Sequence, residues 1–102
     1  MISKLLDIEA IEIMPGFYGK IIPSEEISIA FFEVDKGASV GEHLHSHEQI
    51  MHIIEGEFEI VIEGNTHIAK AGDLITIPAN KKHKGKALTP CRFMDVFVKN
   101  SD

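Results

Sequence analysis

The feature that most constrains the fold is a series of short apolar runs separated by glycine, proline and asparagine. Short runs bounded by such turn formers predict β-strands. Gly64 and Asn65, between two of these runs, predict a two-residue hairpin turn. About eight or nine short strands, with only a weak helical pattern over residues 3–8, predict an all-β sandwich or barrel. The clearest predicted strands cover residues 9–14, 17–22, 27–34, 57–63, 66–70, 73–77 and 92–98.

Length and charge narrow the class of protein. A chain of 102 residues has the size of one domain, so we expect a single domain over residues 1–102. A net charge of -6 without a basic run argues against binding to nucleic acid or to an anionic membrane surface. No apolar run approaches the roughly 20 residues of a membrane span. Because the single cysteine, Cys91, has no internal disulfide partner, a cytoplasmic location is expected.

Two histidines in a segment flanked by glycines indicate a metal site. His43 and His45 are two positions apart, and alternate side chains of a β-strand share a face. Gln49 returns on the next strand to meet them, and a second segment, residues 72–83, delivers His83 through a turn. Neutral imidazole binds zinc, nickel, copper and iron, so the donors predict a divalent transition metal without deciding which one.

The two segments together resemble the paired motifs of the cupin superfamily, G-x5-H-x-H-x3-E-x6-G and G-x5-P-x-G-x2-H-x3-N. The resemblance implies an all-β single-domain cupin, a double-stranded β-helix or jelly-roll barrel, with its metal-binding core at about 37–98. It also implies one divalent ion (Ni, Zn, Mn, Fe, Co or Cu) bound by four side chains, His43, His45, Gln49 and His83. Gln49 stands where the family usually has Glu, so a three-histidine site completed by water is the alternative. Asn80 replaces the glycine of the second motif, and Asn tolerates a left-handed backbone. The matching positions are Gly37, His43, His45, Gly56, Gly72, Pro78 and His83.

One acid interrupts the last apolar run, residues 91–98. Asp95 shares a strand face with Phe93 and Phe97, and burial among apolar side chains raises a carboxyl pKa towards neutrality. Asp95 is therefore a candidate acid or base. The alternative is an Asp at the barrel mouth that is hydrogen-bonded to a loop amide or paired with Arg92 or a lysine.

A narrower resemblance, to the KdgF-type cupins of pectin and alginate breakdown, rests on residues 43–49, on His83 and on the Asp-Val-Phe sequence ending at Phe97. It implies conversion of a 4,5-unsaturated uronate to a linear keto acid, in which Asp95 transfers a proton and Phe97 shapes the pocket. The family usually continues with proline and a substrate-binding Arg. This chain has Lys99 there, a cation without the bidentate geometry of a guanidinium group.

Three functions remain open from the sequence. The first is a metal-dependent, non-redox ring opening or isomerisation of an unsaturated uronate or a similar oxygen-rich small molecule. The second is a metal-dependent dioxygenase, and the third is a cupin that binds a metal and a small ligand without turnover. The neutral amide of Gln49 leaves the full charge on the ion, which favours Lewis-acid chemistry over redox chemistry.

The other histidines and the outward strand faces complete the predictions. We expect His47 to face solvent, with the pocket rim as the alternative. His52 is expected to face away from the metal, and His67 to be exposed.

Small cupins commonly dimerise by packing apolar sheet faces, so the resemblance implies a homodimer, with a second layer of the same sandwich as the alternative. The apolar positions opposite the pocket are Ile50, Ile54, Met94, Val96 and Val98.

Overall fold

A computed structural model describes residues 1–99, which form ten strands in two antiparallel sheets. The all-β prediction is thereby confirmed. The larger sheet has the strand order β1-β2-β3-β10-β5-β8, and the smaller sheet has the order β4-β9-β6-β7. The strands are β1 (Ile11–Met14), β2 (Phe17–Ile21), β3 (Ile27–Val34), β4 (Ser39–His43), β5 (Gln49–Glu55), β6 (Glu57–Ile62), β7 (Asn65–Lys70), β8 (Leu74–Ile77), β9 (His83–Ala87) and β10 (Cys91–Val98).

The last strand, β10, lies in the interior of the larger sheet between β3 and β5. Its register places Asp95 beside Ala30 of β3 and Met51 of β5, both of which are buried. Because side chains alternate between the two faces of a strand, Met94 and Val96 point outward while Asp95 points into the space between the sheets. The fold thus carries the one acid of this strand to the interior.

An apolar core fills the space between the two sheets. Phe93 lies near its centre, with its ring centroid 5.3 Å from that of Phe32 and 5.5 Å from that of Phe58. Full burial of such a side chain stabilises the fold by about 1.5–3 kcal/mol. The buried cluster comprises Phe17, Val34, Met51, Ile53, Phe58, Ile60, Ala69, Ile77, Ala87, Cys91 and Phe93.

Strand β9 was not predicted from the sequence, because its residues, His-Lys-Gly-Lys-Ala, lack an apolar alternation. The reason is steric. Gly85 faces the ring of Phe58, and a Cβ at this position would lie 2.5 Å from a ring carbon. The inward positions of β9 are therefore a histidine, a glycine and an alanine, while Lys84 and Lys86 occupy the outward positions.

The hairpin between β6 and β7 turns one residue earlier than predicted. Asn65 already pairs with Ile62, so the two loop residues are Glu63 and Gly64. Their φ angles are 48° and 80°. Positive φ at both positions is the signature of a type I′ turn, whose twist matches that of the flanking strands.

Gly56 and Asn80 are two of the four motif positions that have a left-handed backbone, the others being Gly37 and Gly72. Gly56, between β5 and β6, has φ 89°, and a Cβ there would lie 2.3 Å from the carbonyl oxygen of Pro90. Both constraints exclude a side chain, which explains the glycine that closes the first motif. Asn80 has φ 63°, as predicted for the residue replacing a motif glycine. Its N–H donates to the carbonyl oxygen of His45 at 2.7 Å and so fixes the loop after β4.

The weak helical pattern near the N-terminus corresponds to a single 3-10 turn, Leu5–Asp7. Leu5 and Leu6 line a groove on the outer side of the larger sheet together with Phe31 and Ile54. Within residues 1–99 no helix has the length and apolar character needed to cross a membrane.

Candidate metal centre

Three histidines meet where β4 and β9 pair. His43 is the last residue of β4 and lies directly opposite His83, the first residue of β9. His45 lies two residues beyond the end of β4, whereas the sequence placed both residues of the His-x-His pair on a strand. The intervening Leu44 is 49% exposed, so the alternation continues past the strand end. His83 likewise begins a strand rather than lying in the turn that precedes it.

The three rings present converging nitrogen atoms. One ring nitrogen from each of His43, His45 and His83 lies within 4.8 Å of the other two. In each ring Nδ1 is close to a backbone carbonyl oxygen, that of Gly41 (2.8 Å) for His43, His47 (2.9 Å) for His45 and Lys81 (2.9 Å) for His83. A carbonyl only accepts, so Nδ1 carries the proton and Nε2 presents a lone pair. Metal-binding imidazoles are commonly oriented by this kind of backbone contact.

The burial and hydrogen bonding of His83 indicate whether these residues fit a metal ion. Its ring is 3% exposed, and its Nε2 has no hydrogen-bond partner within the described part of the chain. Burial lowers the pKa of His83, against an opposing contribution from the hydrogen bond to the Lys81 carbonyl, and a positive charge on His43 or His45 would lower it further. The ring is therefore neutral at pH 7. A buried nitrogen without a partner is costly, and a cation bound to its lone pair would remove that cost.

Gln49, the first residue of β5, lies beside the three histidines. Its Oε1 lies 3.0 Å from Nε2 of His45. Both atoms are acceptors when Nδ1 of His45 donates to the backbone, so their lone pairs repel unless a cation lies within reach of both. An amide oxygen and three imidazoles are donors that divalent transition metals accept. The four residues therefore fit one divalent ion.

Asp95 is connected to this donor set through the amide of Gln49. Nε2 of Gln49 donates to Oδ1 of Asp95 at 2.6 Å. Burial raises the pKa of Asp95 to about 6, although the Gln49 hydrogen bond and the charge of His45 act in the opposite direction. Of the predicted alternatives, the ion pair with Arg92 is wrong, since that side chain lies 3.9 Å from Glu33 and 4.0 Å from Glu55. The amide to which Asp95 is hydrogen-bonded belongs to the side chain of Gln49 at the start of β5 rather than to a loop. A carboxyl that titrates near neutrality is suited to proton transfer.

All six residues singled out from the sequence line one cavity of about 310 Å³. This volume is within the range of small-molecule sites, about 300–1,000 Å³. Apart from these residues the walls are mainly apolar, as in most ligand pockets. The six are His43, His45, Gln49, His83, Asp95 and Phe97.

His47 also lines this cavity, in agreement with the alternative expectation that it lies at the pocket rim. The expectation that it faces solvent is wrong, because its side chain is half-buried and lines the cavity. Its ring lies between two others, with centroids 4.2 Å from His45 at an interplanar angle of 4° and 4.6 Å from Phe97 at 24°. The sequence does not reveal this contact, since β5 and β10 pair across about half the chain.

The remaining sequence-based expectations concern residues outside the cavity. His52 lies on β5 between the buried Met51 and Ile53 and therefore on the outward face, as predicted. His67 is exposed, also as predicted. Lys99 does not supply a cation to the cavity, because its Nζ donates to the carbonyl oxygen of Ser24.

Comparison with known proteins places this architecture in a family. The sequence model of the Cupin domain matches residues 30–97, which include both metal-donor segments. The chain is a cupin. It is 36% identical over 74 residues to the pectin degradation protein KdgF of Dickeya dadantii (strain 3937), a match that covers 71% of this cupin and 67% of the relative.

Solved structures extend the similarity over the whole fold. KdgF from a Halomonas species matches with a TM-score of 0.87 and 26% identity, covering 100% of this cupin and 97% of that chain. An RmlC-like cupin from Shewanella frigidimarina NCIMB 400 also has a TM-score of 0.87, with 27% identity and coverage of 94% and 87%. The resemblance to small KdgF-type cupins predicted from the sequence is confirmed.

Proposed function

We propose that this cupin is an enzyme that converts an unsaturated uronate, or a closely similar sugar acid, without net oxidation or reduction. One divalent ion would be bound by His43, His45, Gln49 and His83. The observation that carries the proposal is the position of Asp95, whose carboxyl lines the same cavity as the donors and has a pKa of about 6. The similarity to a pectin degradation protein indicates the substrate class.

The proposed reaction is a proton relocation. Opening the ring of a 4,5-unsaturated uronate removes the proton of the hemiacetal hydroxyl, breaks the ring carbon–oxygen bond and leaves an enol. The enol becomes a ketone when carbon 4 takes up a proton and its hydroxyl loses one, so the product is an isomer of the substrate. The reaction needs a group that accepts a proton and returns one near neutral pH.

Asp95 has the properties of this proton-transfer group. Its Oδ1 accepts the Gln49 hydrogen bond, which orients the carboxyl and leaves Oδ2 as the atom that takes up and releases the proton. Phe97 is two residues further along the same face of β10 and forms part of the apolar wall beside it. When bound, the divalent ion supplies Lewis acidity towards an oxygen atom of the ligand.

The first experiment is turnover of the 4,5-unsaturated galacturonate monomer by untagged, metal-loaded protein, followed as loss of near-ultraviolet absorbance. Asp95→Asn should lower kcat by at least about 100-fold with unchanged metal content, because the amide fills the same space but does not accept the proton. Asp73→Asn, a matched change at an exposed position, should leave the rate unchanged. An inert wild type, or an active Asp95→Asn variant, would refute the proposal. Oxygen uptake during turnover would instead favour the dioxygenase.

We also propose that this cupin forms a homodimer through the outward face of its larger sheet. Val96 pairs with Ile29 on one side and Ile50 on the other, and Met94 pairs with Phe31 and His52, so a mainly apolar surface that includes His52 crosses three strands. Ile50 is 40% exposed in the single chain. Covering this surface with its equivalent in a second copy would remove apolar area from water.

A further inference from the structure

His47 is a polar side chain of the cavity that the proposed chemistry leaves unused. Its ring contacts neighbours through both faces, His45 on one side and Phe97 on the other. This stacking covers the two faces of the ring and holds it in place. The two nitrogen atoms lie at the ring edge, which the stacked neighbours do not cover. The half-buried position further restricts its movement.

The stacking geometry separates His47 from the metal donors. A ring nitrogen coordinates along a direction in its own ring plane. Because the planes of His45 and His47 are 4° from parallel with centroids 4.2 Å apart, their lone pairs do not converge on one point. The group of three converging rings accordingly comprises His43, His45 and His83. The nitrogen atoms of His47 are therefore left for another ligand.

The other polar groups around the cavity have different partners or directions. The amide of Gln49 has its Nε2 bound to Asp95, and Asp95 presents an acceptor. Lys84 also lines the cavity, from an exposed, outward position of β9 between the inward His83 and Gly85. An anionic group entering this cavity consequently meets a half-buried donor at His47, held by ring stacking, and an exposed cation at Lys84.

We propose that the His47 imidazole donates a hydrogen bond to the carboxylate of the sugar acid and thereby selects acids over neutral sugars. A neutral imidazole always carries one N–H, so the contact requires no protonation of the ring. Stacking on Phe97 holds the donor in one orientation. The inference rests on the proposed function, because it identifies how the substrate of that same cavity is recognised.

The test compares a stable acid with its neutral ester. Binding of D-galacturonate and of its methyl ester to metal-loaded protein is measured by ligand-observed NMR for the wild type, His47→Phe and His47→Gln. Phenylalanine preserves a ring that stacks but has no donor, whereas glutamine preserves a donor without the ring. The preference is the ratio of the affinity for the acid to the affinity for the ester. If His47 donates a hydrogen bond to the charged group, His47→Phe should lower this ratio by at least about tenfold, and His47→Gln should lower it less. His67→Phe, at an exposed imidazole, should retain all of it.

Metal content and melting temperature establish that each variant is folded and loaded before binding is compared. An unchanged preference for the acid in His47→Phe would overturn the inference, and so would an equal loss of affinity for acid and ester. Its failure is distinguishable from failure of the proposed function. If the wild type turns over its substrate but His47→Phe keeps the full preference for the acid over the ester, only the role of His47 is refuted. If the wild type shows no turnover but His47→Phe loses that preference, only the proposed reaction is refuted.

Discussion

The amide nitrogen of Gln49 donates a 2.6 Å hydrogen bond to Oδ1 of Asp95. A glutamate at the same position would have no donor to offer, and two carboxylates at this separation would repel each other strongly. The amide therefore explains why this cupin has Gln where the superfamily motif usually has Glu. The same side chain contacts both the imidazole group and the acid, since its Oε1 lies 3.0 Å from Nε2 of His45.

Replacing Gln49 by Glu should change the proton affinity of Asp95 more than the binding of metal. One carboxyl of the new pair has to keep its proton, which raises the pKa of Asp95 relative to the wild type. The acidic limb of the kcat/KM profile should move up by at least about one pH unit, because the base is formed only at higher pH. Measurement requires rates on unsaturated galacturonate over a pH series, with metal content determined in parallel.

A reciprocal exchange is the control for this prediction. In metal-free protein at neutral pH, Gln49→Glu should lower the free energy of unfolding by about 1–3 kcal/mol, since it loses a hydrogen bond and juxtaposes two carboxyls. Adding Asp95→Asn restores an amide–carboxylate pair in the opposite direction and should recover most of that loss. If the double variant is no more stable than Gln49→Glu, the pair does not interact as described.

The convergence of His43, His45 and His83 was predictable from the sequence, because the backbone of each motif fixes the spacing of its residues. His43 and His45 share a side of one extended segment, and Asn80 has the left-handed conformation that its motif position requires. Asp95 was recognisable as a single acid on an apolar strand. These features depend on residues that are close together in the sequence, so they can be predicted without knowing the fold.

The features that were missed depend on contacts between distant segments. Strand β9 has no apolar pattern because Gly85 accommodates the ring of Phe58, a contact that exists only after the sheet has formed. The stacking of His47 on Phe97 likewise requires β10 to lie beside β5. The Gln49–Asp95 hydrogen bond joins residues that are 46 positions apart. Tertiary packing, rather than local propensity, determines these three features.

Removing single imidazoles should distinguish metal donors from other histidines. His43→Ala and His83→Ala each remove a converging nitrogen. The affinity for the metal should therefore fall by at least about 10–100-fold, because mutation of residues that only contact the metal ligands already causes a loss of this size. His52→Ala should retain its metal, because that ring lies on the outward face of β5. Elemental analysis after dialysis measures the occupancy. Equal occupancy in all three variants would contradict the assignment of the donors.

Asp95→Asn should stabilise the metal-free fold at neutral pH. The carboxyl pKa is about 3.9 in an unfolded chain and about 6 in the folded one, so the folded state binds its proton more tightly. Stability is therefore lost as pH rises from about 4 to about 6, by at most about 3 kcal/mol, and the loss persists above that window. The asparagine has no charge to desolvate and can still accept from Gln49.

The measurement is urea unfolding of chelator-treated wild type and Asp95→Asn under acidic and slightly alkaline conditions. The variant should be about 1–2 kcal/mol more stable at pH 7.5 and close to the wild type at pH 4, where both side chains are neutral. A stability difference that does not vary with pH would show that ionised Asp95 is not destabilising.

Ile50→Lys should disrupt the proposed homodimer. Ile50 lies beside Val96 on the outward face of the larger sheet, and a lysine there would have to lose its hydration to be covered by a second copy. Sedimentation velocity should show a dimer for the wild type and a monomer for the variant. Ile68→Lys is the matched control, because Ile68 is 43% exposed, close to the 40% of Ile50, but belongs to β7 of the smaller sheet. A monomeric wild type, or dissociation by both variants, would exclude this face as the specific interface.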